Sequence, residues 1–404
     1  MKRIFLKYFK DIAKIRREGK RTMERVYPHY YKEFSCIAGE CEDTCCAGWQ
    51  IMIDDDSIKK YRGIKGGFGN RLHNCINWKK QAFMQNGKRC AFLNEENLCD
   101  IYTELGEKGF CDTCRNYPRH MEEYENLREY MLSLSCPEAC RLILKQKQPI
   151  SFEWKEDEQY EEYKEFDFLL FTKLEDAREY IEEIMKKEGI GLRDKMSIAL
   201  VFAHDMQRRI QNDCIFEIDD LLIKYEGETA ISDLKQRFRR YSWRKNERIK
   251  WLKAVKEQFQ AMEPLKLEWH PYLEQSFQIL MEISDKEYKE LREEFYKDYP
   301  SLERELVNIF ETLLYTYFCG AVYDGEVLPK VKFMILSVWM IEQLDLACWL
   351  AKGKQFTFED QVKIAHWYSR EIEHSDRNLG YLDKKLKSDS MFHYKMLLKE
   401  LQND

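Results

Sequence analysis

The spacing of apolar side chains changes near residue 145. Beyond it, apolar residues recur every three to four positions, which is the period of an amphipathic helix. This spacing predicts helices over 173–187, 194–212, 233–262, 286–297, 302–321, 331–351 and 358–374. Thr357 and Asp360 have the spacing of a capping box at the start of the last one. The prolines that separate these segments are Pro264, Pro271, Pro300 and Pro329.

Before residue 145 the sequence is rich in cysteine, glycine and turn signals, and only residues 49–54 alternate with the period of a strand. The expected fold class is therefore mainly α. A cysteine-rich, metal-binding N-terminal region with little regular structure precedes a helical C-terminal domain. We expect a basic helical extension over 1–26, the cysteine-rich domain over 27–145 and the helical domain over 146–404.

One predicted helix, 331–351, is apolar over about the thickness of a bilayer. Lys332, Glu342, Gln343 and Asp345 interrupt it, and charges at mid-span are costly in hydrocarbon. We interpret it as a buried helix and expect no membrane insertion.

The composition is that of an ordinary globular protein, with 404 residues, 34% of them charged, and a formal net charge of −6. This charge gives no general reason to expect nucleic acid as a partner. The first 26 residues are the exception, because ten of them are Lys or Arg. They predict a solvated amphipathic helix, with docking on an acidic partner as the alternative.

Cysteines carry the clearest chemical signal. The chain has 14, and 11 of them lie between Cys36 and Cys140. No apolar stretch of secretory length occurs at the N-terminus, so we expect a cytoplasmic protein whose thiols stay reduced. A dense cysteine cluster there favours a metal or iron-sulfur site. Redox-active thiols and structural thiols are the alternatives.

Familiar cofactor motifs are missing from the sequence. There is no Gly-x-Gly-x-x-Gly after a strand and no phosphate-binding loop. The Cys-x-x-x-Cys-x-x-Cys run of radical S-adenosylmethionine enzymes is also not met, because Cys46 directly follows Cys45. The cysteine cluster is therefore the one recognisable candidate for a cofactor site.

Several segments together resemble one known family. They are residues 27–37, residues 41–49, Ile53-Asp54, residues 89–93, residues 98–102, residues 105–107, residues 111–119 and residues 134–138. This pattern resembles the cysteine-rich half of the bacterial flagellin lysine-N-methylases. The resemblance is specific over 27–145 and thinner beyond, where it rests on the helical character and on short segments such as Tyr323-Asp324-Gly325.

The resemblance implies an S-adenosylmethionine-dependent methyltransferase that acts on flagellin lysines and holds a 4Fe-4S cluster. The cysteines that match the family pattern, and so are the implied metal ligands, are Cys41, Cys45, Cys46, Cys90, Cys99, Cys111 and Cys114. They exceed the four that one cluster needs, so some are structural or a second metal is present. Cys45 and Cys46, being adjacent, are candidates for different ions.

Other residues are candidates for binding the cofactor or the substrate amine. Trp49 and Tyr117 could stack on adenine or contact a methylated amine, and Asp54 and Arg119 could hold a ribose or a carboxylate. Packing against the metal site is the alternative for the two rings, and surface ion pairs are the alternative for Asp54 and Arg119. Within the apolar helix, Glu342 and Asp345 are the acidic candidates for steering a lysine, with a polar stripe meeting solvent as the alternative.

Three functions follow as hypotheses. The first is the iron-sulfur lysine methyltransferase, with flagellin as partner. The second is a zinc- or iron-binding interaction module without enzymatic activity, and the third is an iron-sulfur redox enzyme. Metal identity separates the second from the others, because zinc has no redox chemistry.

Overall fold

A computed structural model describes residues 22–157, 163, 165–244 and 247–403. Helices dominate this part of the chain, which confirms the mainly α fold. In the N-terminal part they are α1 Asp55–Gly63, α2 Gly66–Cys75, α3 Asp100–Leu105, α4 Asp112–Asn116 and α5 Pro137–Leu144. They continue as α6 Phe168–Lys186, α7 Leu192–Gln211, α8 Glu217–Glu226, α9 Ala230–Phe238, α10 Glu247–Gln260 and α11 Trp269–Glu282. The last are α12 Asp285–Asp298, α13 Leu302–Tyr317, α14 Val327–Ala351, α15 Phe358–Glu373, α16 Asp376–Ser388 and α17 Tyr394–Leu401.

Strands occur in the N-terminal part of the described chain. They are β1 Met23–Pro28, β2 Ile76–Asn77, β3 Ala82–Phe83, β4 Gln85–Asn86, β5 Arg89–Cys90, β6 Arg119–Tyr124, β7 Leu127–Leu132 and β8 Phe152–Asp157. Four of them form a sheet in the order β6-β7-β1-β8. Strand β1 is parallel to β7 and antiparallel to β8, while β6 and β7 form a hairpin.

Two hydrophobic cores divide the described residues. The larger one unites the four-stranded sheet with the helices from α5 onward. The smaller one lies within residues 41–114, which we call the cysteine-rich unit, and it is built around Ile51, Tyr61, Phe83, Phe92 and Cys111. The predicted boundary at 145 therefore does not separate the two cores. The sheet packs with the helical bundle because β7 buries Leu127 and Leu132 in the larger core.

Helix prediction succeeded where the apolar period was long. Observed helices cover six of the seven predicted segments with small shifts at their ends. The prediction of one helix over 233–262 is wrong. It divides into α9 and α10, and residues 241–244 between them are not helical. Leu234 and Phe238 are buried on the first helix, whereas Trp251 and Val255 are buried on the second.

Helix α14 is the centre of the bundle and confirms the interpretation of 331–351 as a buried helix. Among the described residues it is the one helix long and apolar enough to cross a membrane, and the most apolar part of it is 89% buried. Pro329 does not stop it, because it lies in the first turn, where no helical partner is needed for its nitrogen.

The N-terminal part departs most from expectation. The four-stranded sheet was not predicted, and residues 49–54 do not form a strand. They are extended and alternate in burial, but only Met52 pairs, in a single bridge to Ala82. Residues 23–26 of the predicted basic helix belong to strand β1, because they hydrogen-bond along β7 and β8. Residues 1–21 of that prediction lie outside the described residues.

Candidate functional site

The loop that carries Cys41, Cys45 and Cys46 is fastened to helix α15 by a buried ion pair. Asp43 is 7% exposed and Arg370 is 2% exposed, and their Oδ1 and Nη1 atoms lie 2.9 Å apart. The Arg370 guanidinium also donates to the backbone oxygens of Asp43 at 3.0 Å and Thr44 at 2.6 Å, and to that of Ala47. One side chain of the bundle thus fixes the backbone of the whole cysteine loop.

Further contacts hold the same loop and the strand beside it. Lys266 Nζ lies 2.6 Å from the second oxygen of Asp43, and Glu42 pairs with Arg141 of α5. Lys88 Nζ donates to the backbone oxygens of Pro264 and Leu265 at 2.8 and 2.5 Å. The contacts between the cysteine-rich unit and the bundle described here are therefore of two kinds: ion pairs, and hydrogen bonds from lysine or arginine side chains to backbone carbonyls.

The loop that reaches Lys266 is itself held by α15. Glu371 accepts hydrogen bonds from the backbone nitrogens of Leu265 and Lys266 at 2.6 and 2.7 Å. Burial raises the pKa of Glu371 to about 7, although these two bonds and the nearby lysines favour its charged form. Arg370 thus holds the cysteine loop, and the next residue, Glu371, holds the loop that carries Lys266; the two loops meet at Asp43.

Three rings meet where the cysteine-rich unit contacts the end of α15. The centroid of Trp49 lies 4.8 Å from that of His374 and 6.0 Å from that of Tyr117, and Tyr117 and His374 are 5.4 Å apart. Trp49 packs against the small core and Tyr117 against the large one. All three residues are half-buried. The cluster therefore joins the two cores beside Cys45, whose carbonyl accepts the Trp49 Nε1 hydrogen at 2.7 Å.

Ser135 organises the polar side of this cluster. Its Oγ is shared with His374 Nε2 at 2.5 Å, Tyr117 Oη at 3.2 Å and Ser133 Oγ at 2.7 Å. Burial and then the Arg370 charge lower the pKa of His374 to about 4, so its imidazole is neutral at pH 7. Burial raises the pKa of the Tyr117 phenol well above its usual value. The cluster is thus uncharged and set beside a buried guanidinium.

The predicted ligand cysteines separate into two groups on either side of the Cys45-Cys46 pair. Cys45 donates its thiol hydrogen to Cys46, which raises the pKa of Cys45 and lowers that of Cys46 to about 7. The group that lines or borders the small core is Cys46, Cys90, Cys99, Cys111 and Cys114. On the other side lie Cys41 and Cys45; Cys36 is near both of them, and Cys136 is near Cys45.

These cysteine side chains are of the right chemical type to bind an iron-sulfur cluster, but their positions do not outline a metal site. Thiolates are the usual ligands of such clusters. No group of three or more His, Cys, Asp or Glu side chains is placed to hold a metal ion in the ranges that the structure describes. What the structure does show is pairing: Cys45 with Cys46, and Cys111 with Cys114 at the start of α4. We therefore derive no reaction step from a bound cluster.

The four predicted cofactor-binding residues do not form one site. Trp49 and Tyr117 come together as described. Asp54 instead accepts from the backbone nitrogens of Ser57 at 2.8 Å and Asp112 at 2.9 Å, so it caps the starts of α1 and α4. Arg119 lies 5.1 Å over the ring of Phe34, on the sheet. The carboxylate and the guanidinium thus have structural partners away from the ring cluster.

The two acidic residues of α14 are not placed to steer a lysine at the surface. Glu342 receives Arg193 at 2.9 Å, Arg292 at 3.0 Å and the Tyr296 hydroxyl at 2.7 Å. Against burial, the two guanidiniums lower its pKa to about 2. Asp345 is fully buried, which raises its pKa. The suggested polar stripe meeting solvent is wrong too, since both side chains lie inside the bundle.

Sequence reasoning missed the residues that fasten the site together. Arg370 and His374 lie far from the cysteine motifs in sequence, and charged or polar positions on an amphipathic helix are usually solvent-facing. Ser135 directly precedes Cys136, but no local pattern marks it as the partner of a distant histidine. Asp43 was visible only as part of the cysteine loop. The one signal in the sequence is that Arg370 and His366, four positions apart, share one face of α15. In the structure both side chains are buried, so this polar face lies inside the molecule and not at its surface.

A comparison with known protein families finds a match for the helical half of the chain. The family model described as the FliB lysine N-methylase C-terminal domain matches residues 178–399, which is more than half of the chain. The match covers the bundle, where the sequence resemblance was thinner. It includes α15, and therefore Arg370 and His374. No solved structure matched the chain.

Individual relatives agree with this match. The flagellar biosynthetic protein FliU of Salmonella muenchen is 32% identical over 126 residues, which cover 29% of this chain and 75% of that protein. Lysine-N-methylases of Salmonella typhimurium and Salmonella choleraesuis are also 32% identical over 126 residues, but the match spans only 31% of their length. Given the family model and the coverage of FliU, this chain belongs to the FliB lysine N-methylase family.

Proposed function

We propose that the protein transfers methyl groups from S-adenosylmethionine to lysine side chains of flagellin. The observation that carries the proposal is the family match over the helical half, since the family and two of the relatives are described as lysine N-methylases. The name of FliU adds a flagellar context. The donor and flagellin as the acceptor are our own assignment.

The ring cluster is the proposed place for the lysine amine. Only the neutral amine can attack the methyl group, so the site must lower a lysine pKa from about 10.4. Burial and a neighbouring cation both do so. The ring cluster has this character, because its imidazole is neutral and the Arg370 guanidinium lies beside it. The faces of Trp49 and Tyr117 suit the aliphatic chain and the methylated product, which ring faces attract by cation-π contact.

An iron-sulfur cluster belongs to the proposal through the cysteine-rich unit. The cysteines that would hold it are among those that share the small core: Cys46, Cys90, Cys99, Cys111 and Cys114. When bound, such a cluster with an open iron would offer a site for the amino and carboxylate groups of S-adenosylmethionine. Cys46 adjoins Cys45, whose carbonyl accepts the Trp49 Nε1 hydrogen, so this end of the cysteine-rich unit borders the ring cluster.

The test is methyl transfer with purified components. Protein prepared without oxygen is incubated with flagellin and isotopically labelled S-adenosylmethionine, and modified lysines are located by mass spectrometry. We expect labelled methyl groups on flagellin lysines. We expect their loss in Cys46→Ser and their retention in Cys214→Ser, whose thiol lies between α7 and α8. Absence of any labelled lysine with folded protein would overturn the proposal.

Iron, zinc and sulfide analysis of the same sample separates the other hypotheses. Zinc without sulfide and without methyl product would support the interaction module. Iron and sulfide with reversible reduction but no methyl product would support the redox enzyme.

A further inference from the structure

A group of arginines lies in the last turn of helix α9 and directly after it, far in sequence from the cysteine-rich unit. Arg237, Arg239 and Arg240 are exposed and line an open cavity of about 500 Å³, which Asp233 and Gln236 complete. We call these three the arginine surface. Three positive charges against one negative charge make this cavity locally cationic in a protein whose net charge is −6.

The guanidiniums of the arginine surface are not held by the one carboxylate in the cavity. None of its three guanidiniums forms an ion pair or a side-chain hydrogen bond within the described ranges. The neighbouring Lys235 does, because its Nζ lies 2.7 Å from Asp194 of α7. The carboxylate in the cavity is also engaged, since Asp233 accepts the hydroxyl of Thr229 at 3.0 Å. The three guanidiniums therefore keep their donors available for an external acceptor.

The backbone beneath the arginine surface is well anchored. Leu234 and Phe238 are buried in the larger core, and Lys235 ties the same helix to α7. The C-terminal turn continues beyond α9, with the nitrogens of Arg240 and Tyr241 bonded to the oxygens of Arg237 and Phe238. The backbone positions that carry the three arginines are thus fixed before any partner binds, so only their side chains must be ordered on recognition.

The aromatic residues nearby are already engaged. Trp243 donates its Nε1 hydrogen to Glu400 at 2.7 Å and contacts Trp251, and Tyr241 packs against the larger core. Single-stranded nucleic acids need exposed rings on which bases stack. The arginine surface offers none. Its guanidiniums can bind carboxylates in a two-pronged geometry, so a segment with clustered carboxylates needs no stacking platform there.

We propose that the arginine surface is a docking site for an acidic peptide segment of a partner protein. It binds clustered Asp or Glu side chains through the guanidiniums of Arg237, Arg239 and Arg240. This role goes beyond the proposed methyl transfer and needs neither the donor nor a cofactor. Peptide binding can therefore be absent while methylation is observed, and methylation can be absent while the peptide binds.

The experiment measures the binding of a fluorescein-labelled oligoglutamate peptide to the full-length protein by anisotropy at low salt. We expect saturable binding that weakens as salt rises. Arg239→Gln with Arg240→Gln should weaken it about tenfold, since charged hydrogen bonds of this kind are lost. Both residues are exposed, so folding should be retained, and a thermal unfolding curve verifies this.

Two matched variants sharpen the result. Lys79→Gln with Lys80→Gln removes the same charge at two exposed neighbouring positions of the cysteine-rich unit and should leave affinity unchanged. Arg239→Lys with Arg240→Lys keeps the charge but not the two-pronged geometry and should give an intermediate affinity. Equal affinity of the Gln variant and the unchanged protein would overturn the proposal. So would stronger, equally arginine-dependent binding of a single-stranded oligonucleotide, because it would assign the surface to nucleic acid.

Discussion

The helical bundle and the cysteine-rich unit are held together in different ways. The bundle has a continuous apolar core around α14, and inside it the buried carboxylate of Glu342 is paired with Arg193 and Arg292. The cysteine-rich unit has short elements around a small core, to which several thiols contribute. Small units of this kind usually need a metal or another fastening to be stable.

The comparison teaches that the bundle supplies part of this fastening. Arg370 and Lys266 reach the cysteine loop from the bundle, and Lys88 reaches back from the unit to the bundle. The ring cluster forms at the same boundary. The position of the cysteine loop, and with it the proposed active site, therefore depends on bundle residues as much as on the cysteines themselves.

The largest expected effect is that of Arg370→Met. It leaves Asp43 buried with Lys266 as its charged partner and His366 3.6 Å away, and it removes the donors to three backbone carbonyls. Breaking a buried pair in this way costs about 3–5 kcal/mol. We expect the cysteine-rich unit to become sensitive to protease and its thiols to react faster with a labelling reagent, while helical content changes little. Limited proteolysis, thiol labelling and circular dichroism measure these effects.

The control for this variant is Arg377→Met on α16. Its side chain is 78% exposed and its pair with Glu263 is 3.3 Å long, so its loss should cost well under 1 kcal/mol. Equal protease resistance of the two variants would show that Arg370 does not hold the unit in place.

The next effect is the dependence of stability on pH, which should differ between two acidic residues one turn apart on α14, Asp345 and Glu342. The pKa of Asp345 is raised in the folded state, so its contribution to stability is complete below its unfolded value and falls as pH rises above about 4. Asp345→Asn removes this loss. We expect the melting temperature of this variant minus that of the unchanged protein to increase from pH 5 to pH 8.

Glu342→Gln should behave differently. The pKa of Glu342 is lowered to about 2, so its contribution is present above its unfolded value and is lost only as pH falls through the acid range. Its variant should be less stable by about 3–5 kcal/mol because two buried guanidiniums lose their partner. The deficit should be constant from pH 5 to pH 8. Parallel pH profiles for the two variants would contradict the assignment.

Much of the bundle was predictable because its signals are local. Apolar spacing found α6, α7 and α14, and the capping box of Thr357 and Asp360 is confirmed, with the Thr357 oxygen 3.3 Å from the Asp360 nitrogen. The sheet was not predictable in this way. Strand β1 pairs with β7, about a hundred residues away, and the charged residues of β8 do not alternate as a half-buried strand would.

The site was predictable only in part, for the same reason. Trp49 and Tyr117 were selected from the cysteine-rich segments, and the structure does bring them together. The third ring, His374, comes from a helix more than 250 residues later, and no local pattern relates it to them. Asp54 was selected for its charge, but its neighbours in sequence make it a helix cap. Local spacing indicates which residues can act, whereas long-range packing decides which of them meet.

The smallest expected effect is that of Thr357→Ala. It removes the side-chain cap of α15, the helix that carries Arg370 and His374, and should cost about 1 kcal/mol. Ser388→Ala, at the exposed end of α16, should be nearly neutral. Urea denaturation measures both. If the cap variant also exposes the cysteine thiols to labelling, the unit depends on α15 even more closely than the Arg370 contacts require.

The most direct test of the central claim is the location of methyl groups on flagellin after incubation with labelled S-adenosylmethionine, compared between the unchanged protein and Arg370→Met. The account predicts labelled lysines with the unchanged protein and a strong reduction with the variant, because the cysteine loop and the ring cluster lose their common anchor. Full methylation by a variant whose cysteine-rich unit is already protease-sensitive would contradict a site at this boundary, and no methylation by the folded, unchanged protein would contradict the activity itself.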